Sequence, residues 1–197
     1  MFLDPVTLKG DHVTLVPLRP HHHDELVGAV QDGELWKLWY TFIPAPDGMG
    51  VEIDRRLALQ KAGSMLPFAI ISNDTGKAVG MTTFMHADAV NRRVEIGGTW
   101  YRASAQRTAL NTECKYLMLR YAFENLKCIA VEFRTHVINM QSRRGIERLG
   151  AKLDGTLRNH IVMPDGTMRD TVVYSIIAGE WPAVKSHLEW QMQRPRR

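Results

Sequence analysis

The chain has 197 residues, 45% of them hydrophobic and 23% charged, with a formal net charge of +4. That is the composition of a globular protein with one substantial core, and it excludes a disordered chain. The charge is not gathered into a basic stripe with interleaved aromatics, no apolar run approaches the roughly 18 residues that span a bilayer, and the acidic start is too short for a secretory signal. The expectation is therefore a cytoplasmic protein with neither a nucleic-acid nor a membrane partner.

Residues 12–18 alternate around Val13, Leu15 and Val16 and read as a first strand, stopped by Pro17 and Pro20. Residues 21–31 read as a short helix with Asp24 and Glu25 in the first turn. His21, His22 and His23 would point in different directions on it, which argues against joint metal ligation. An aromatic-rich stretch at 35–42 precedes a second helix at 51–62. Strands follow at 67–72, 78–86 and 93–101, the first two joined by the turn Asn73-Asp74-Thr75-Gly76. A long helix is expected from about 111 to 126, with Tyr116, Leu119, Phe123 and Leu126 at helical spacing. Then come a buried strand at 129–135, a helix at 139–149 ended by Gly150, and a hairpin of 154–162 and 168–177 around Pro164-Asp165-Gly166. Residues 180–193 read as a final helix, and Arg194, Arg196 and Arg197 as a frayed tail. Cys114 and Cys128 fall in apolar segments and read as buried, reduced thiols without zinc-ligand spacing. With no linker or repeat, residues 1–197 read as one domain. Its plan is α/β (α+β), a mixed, mostly antiparallel sheet flanked by helices, because the crossover between 101 and 135 forces one parallel pair.

The stretch from Glu95 to Glu113 carries the chemistry. It runs from strand through a tight loop into a helix N-terminus, where free amides and the helix dipole suit a pyrophosphate. Arg102 and Arg107 add positive charge, and Ala103, Ser104, Ala105 and Ala109 leave room for close approach. A capped helix with two solvated arginines is the plainer account of the same residues. Gly97-Gly98, in mid-strand, implies a bulge or a close backbone contact.

In order and spacing these residues resemble the GNAT acyltransferases, especially the branch that acetylates ribosomal-protein N-termini. Gln106 matches the start of that family's pyrophosphate loop, Gln/Arg-x-x-Gly-x-Gly/Ala, whereas Ala109 and Asn111 stand where glycine and glycine or alanine are usual. Glu95-Ile96-Gly97, Thr112-Glu113, Tyr121-Ala122-Phe123-Glu124, Asn139 with Ser142, and Leu149-Gly150-Ala151 match further segments. The resemblance implies a GNAT fold with a splayed parallel strand pair and acetyl-CoA as cosubstrate, without metal. Residues Gln106, Arg107, Thr108, Ala109, Leu110 and Asn111 would cradle the pyrophosphate. Backbone near Trp100 and Arg102 would pair with the pantetheine, and Asn139 and Ser142 would flank it. Either the loop avoids the torsions that glycine tolerates best, with Asn111 also capping the helix, or CoA binding is weakened.

Acyl transfer requires a neutral amine and a route for its proton. Glu95 is the candidate base; otherwise it pairs with Arg93 or a neighbouring arginine. Ser142 is the available hydroxyl for the departing thiolate, or simply a first-turn helix residue. A backbone N–H near Thr99 to Tyr101 would meet the oxyanion. Trp36, Trp39 and Tyr40 either wall the acceptor or pack in the core. The expected partners are acyl-CoA and a primary amine, a protein N-terminus or a small amine, and an exposed sheet edge permits a homodimer. A non-catalytic acyl-CoA-binding or regulatory module is the alternative.

Overall fold

A computed structural model describes residues 2–194. One sheet contains β1 (Leu8–Lys9), β2 (Val13–Pro17), β3 (Met65–Ser72), β4 (Ala78–Asp88), β5 (Arg93–Tyr101), β6 (Ala130–His136), β7 (Lys152–Val162) and β8 (Met168–Ile177). The helices are α1 (His23–Gln31), α2 (Met49–Lys61), α3 (Ala109–Arg120), α4 (Met140–Arg148) and α5 (Trp181–Gln193). The strand order is β1-β2-β3-β4-β5-β6-β8-β7. Among the described residues every neighbouring pair is antiparallel except β5 with β6. The α/β plan and its one parallel seam are those expected.

Alternation along the strands sends side chains to two separate cores. Leu26, Ala29 and Val30 of α1 and Met49 and Ile53 of α2 pack with Ala69, Met81 and Trp100 on one face. Leu117 of α3, Ile146 of α4 and Trp181 and Leu188 of α5 join Phe68, Phe84, Val94 and Val131 on the other. Neither α3 face is solvated through its middle, so Thr112 to Leu119 are all buried. Gly80 of β4 lies so close to β5 that an added Cβ would sit 2.0 Å from the Trp100 carbonyl oxygen.

The departures from expectation are local. β1 is only two residues long, too short for any alternation to register. The long helix starts at Ala109, two residues early, and its last turn, Tyr121–Asn125, is a π-helix closed by a 3.0 Å bond from the Leu126 amide to the Tyr121 carbonyl. Lys127, at φ 55°, ends it in a left-handed step. Both cysteines are buried free thiols. Arg194 lies 4.4 Å from the Trp190 ring centroid, while Arg196 and Arg197 fall outside the described residues. Among the described residues no helix is long and apolar enough to cross a membrane.

Candidate active site

β5 and β6 pair over only three positions, Arg93 with Ala130, Val94 with Val131 and Glu95 with Glu132. Beyond that point Ile96 to Tyr101 and Phe133 to His136 run on without pairing to each other. The cause is in β5. Its register with β4 jumps from Gly97 opposite Thr83 to Trp100 opposite Met81, which leaves an extra residue on β5. Gly98 sits in this bulge at φ +57°, a left-handed step that glycine takes without strain. The buried Arg56 of α2 braces it, donating to the Gly98 carbonyl at 3.2 Å, to Thr83 Oγ1 at 2.6 Å and to Glu52 at 2.7 Å. The parted strands open a cleft through the sheet. Lys115, Asn139, Ser142 and Ile146 line it on the α3 side; Tyr40, Thr41, Phe42, Ile43, Arg134, His136 and Arg169 line it on the other.

The loop before α3 differs in detail from the expected one. Thr108, not Asn111, is the N-cap: its hydroxyl accepts from the Leu110 amide at 3.4 Å and donates to the Ala105 carbonyl at 2.7 Å. Asn111 lies inside the first turn, with its buried side-chain oxygen lacking a partner. Neither Ala109 nor Asn111 takes a positive φ; the left-handed residue is Arg107, at 60°. The missing glycines therefore cost the loop no strain at those two positions. Arg102 does not stand free beside the helix. Its Nε donates to Asp32 at 2.7 Å, its amide donates to Val79 and its carbonyl accepts from Ala105. Its amide is thus already engaged, while its carbonyl keeps a second lone pair. Gln106 ties the loop to β5 through the Tyr101 carbonyl, 3.1 Å away. Arg102, Thr108, Ala109 and Leu110 line a second hollow outside the helix N-terminus, facing His12 and Asp74.

Glu95 occupies the vertex, the last paired residue before the strands part. Its buried carboxylate meets His86 Nδ1 at 2.8 Å and Arg134 Nε at 3.4 Å, so the neighbouring arginine is Arg134; Arg93 pairs with Glu132 instead. The Glu95 bond holds His86 above its ordinary pKa. A Cβ on Gly97 would come 2.8 Å from Glu95 Oε1, so the glycine leaves the carboxylate its place. Asn139 caps α4, accepting from the Ser142 amide at 3.1 Å, and both residues line the cleft. The aromatic trio divides. Trp36 packs against the α1–α2 core, Trp39 is exposed with its ring 5.7 Å from that of His136, and Tyr40 lines the cleft.

Three features were not among the expected site residues. Lys115 lies in the cleft wall, buried, donating to Thr99 Oγ1 at 2.6 Å and Thr82 Oγ1 at 3.3 Å. Burial pushes its ammonium down to about 8. Arg134 and Arg169 arrive from β6 and β8, far apart in sequence. Glu113 anchors the start of β2, its carboxylate accepting from the Asp11, His12 and Val13 amides at 2.8, 2.7 and 2.9 Å. The one legible signal was a pair of charges, Glu113 and Lys115, within a helix otherwise too apolar to have a solvated face. Among the described residues no group of three or more His, Cys, Asp or Glu side chains could hold a metal ion.

Known proteins share this architecture. A GCN5-related N-acetyltransferase from Brucella melitensis is 29% identical, with a TM-score of 0.87 over 98% of this chain and 87% of that chain. RimJ of Mycobacterium smegmatis, solved in complex with CoA-disulfide, superposes with a TM-score of 0.80 over 95% of each chain; at 22% identity the likeness is one of fold. YdaF of Bacillus subtilis (strain 168), a candidate ribosomal N-acetyltransferase by name, is 32% identical over 110 residues, which span 56% of this chain and 59% of that protein. The model of the acetyltransferase (GNAT) domain matches residues 12–152, well over half of the sequence, and the chain belongs to that GNAT acetyltransferase family.

Proposed function

We propose that the chain, as a single domain over 1–197, moves an acetyl group from acetyl-CoA directly to a primary amine, at a protein N-terminus or on a small molecule. The observation that carries the proposal is the position of Glu95 at the vertex where β5 and β6 part. The open strand edges fit an extended amide-bearing arm, and the α3 N-terminus, with Gln106, Arg107, Thr108, Ala109, Leu110 and Asn111 around it, fits a pyrophosphate. Acetyl-CoA, when bound, supplies the activated acyl group. Glu95 accepts the proton that the amine loses as its nitrogen bonds to the acyl carbon, directly or through a water. The carbon–sulfur bond breaks, and the Ser142 hydroxyl donates a hydrogen bond toward the leaving thiolate. Trp39 and Tyr40 border the acceptor's approach. The absent loop glycines do not favour the non-catalytic alternative, since neither Ala109 nor Asn111 takes a positive φ.

Glu95→Gln tests the reading. Calorimetric CoA binding is expected to persist while acetylation across an amine panel falls by at least about tenfold. Unchanged turnover in the variant, or a wild type that binds CoA and acetylates no amine, overturns it.

A further inference from the structure

On the face of the sheet that carries α1 and α2, the cleft floor is ionic. Glu95 and Glu132 are register partners at its inner end. Arg134, His136, Thr171 and Arg169 share the same face, because His136 pairs with Thr171 and Arg134 with Val173, and side chains two residues apart lie on one side. Phe42 and Trp39 roof this floor, the Arg169 guanidinium lying 5.8 Å from the Phe42 ring centroid.

The charges on that floor do not cancel. Arg93 and Arg134 are both ion-paired with Glu132, and Arg134 also reaches Glu95. Arg169 is half-buried; among the described residues no carboxylate lies within ion-pair distance of it, and Glu95 acts on it only from farther off. Its contacts are the Thr171 hydroxyl, to which its Nε donates at 3.0 Å, and the Phe42 ring. The adjacent Asp170 turns to the other face and pairs with Arg158. Glu132 is thus taken up by Arg93 and Arg134, and Glu95 by Arg134 and His86, which leaves Arg169 with no carboxylate in contact. Burial first, and then Arg169, lower the pKa of His136 against the opposing pull of Asp170. A half-buried guanidinium with no carboxylate in contact is costly even with the Glu95 charge acting from farther off, and a ligand carboxylate that meets it recovers part of that cost.

Taking the acyl-transfer reading of the cleft as its basis, we infer that the acceptor is a small amino-acid-like molecule whose own carboxylate binds Arg169 while its amine lies toward Glu95. The amine reacts uncharged, so the carboxylate supplies the contact ion pair that Arg169 lacks. A peptide N-terminus, whose α-carboxyl is tied in an amide, lacks this group.

The experiment compares the free L-amino acids with their α-amides and with short peptides, in two readouts. Calorimetric titration into the CoA-saturated protein measures acceptor binding without requiring turnover, and acetyl-CoA consumption measures transfer. Free acids are expected to bind and react at least about tenfold better than their amides. Arg169→Met is expected to remove that preference, raising KM for the acids about tenfold while leaving KM for acetyl-CoA and for the amides within about twofold. Acids and amides that bind alike, or an Arg169→Met variant that weakens both equally, overturn the inference, and equal turnover of peptides does the same while leaving acyl transfer standing. Carboxylate-dependent binding with no acetylation of any amine supports the anion site and overturns the transfer reading instead.

Discussion

Replacing Lys115 by methionine keeps an unbranched side chain, one atom shorter, and removes its charge. In the wild type the ammonium is buried against Thr82 and Thr99, and its pKa falls from an ordinary 10.5 to about 8. At 1.36 kcal/mol per pH unit, that difference corresponds to about 3 kcal/mol of native-state destabilisation wherever lysine is charged in both states. Between pH 8 and 10.5 the unfolded chain holds more protons than the native one, so wild-type stability rises with pH; below 8 this contribution is flat. The variant lacks the slope. Its losses are small, because Thr82 and Thr99 already bond each other at 2.7 Å and are not orphaned. Two lost hydrogen bonds cost about 1–2 kcal/mol together, leaving Lys115→Met more stable by about 1–2 kcal/mol at pH 7. By pH 9.5 the advantage shrinks by about 2 kcal/mol and vanishes. Urea unfolding from pH 7 to 9.5 is the assay, and with a slope of about 2 kcal/mol/M the midpoint difference should change by about 1 M. A difference that stays constant across that range refutes the reasoning, as does a variant several kcal/mol less stable at pH 7.

Two further outcomes follow from contacts on the frame. Gly80→Ala forces a Cβ against the Trp100 carbonyl and pushes β4 from β5, so a loss of about 3 kcal/mol and a Tm lower by about 6–12 °C are expected; a Tm within 2 °C of wild type contradicts the contact. Glu113→Gln weakens three charge-assisted bonds to the Asp11, His12 and Val13 amides. It should cost about 2 kcal/mol and speed hydrogen exchange at those amides selectively, and uniform exchange would remove the anchoring role.

Strong periodicity made β3, β5, β6 and the helices readable, because burial on one face imposes a repeat that composition alone displays. The Gly97-Gly98 bulge was readable for a different reason: two glycines in mid-strand have no packing purpose. What escaped was set by contacts across the chain. The start of α3 fell at Thr108 because its hydroxyl can bridge the Ala105 carbonyl and the Leu110 amide, which is geometry of the loop and not of the sequence pattern. Arg102 looked like a free cation until Asp32, seventy residues earlier, closed on it. The place of Lys115 was legible only as a charge in an apolar helix, and nothing nearby in sequence announces that Phe42 lies against Arg169 of β8.

The brace at Arg56 has a mechanical consequence. One guanidinium fastens α2 to the kink that holds two strands apart. The width of the opening and the seating of that helix therefore form a single linkage with no slack between them. A shift of α2 is therefore expected to reach the Gly98 kink and, through it, the width of the cleft.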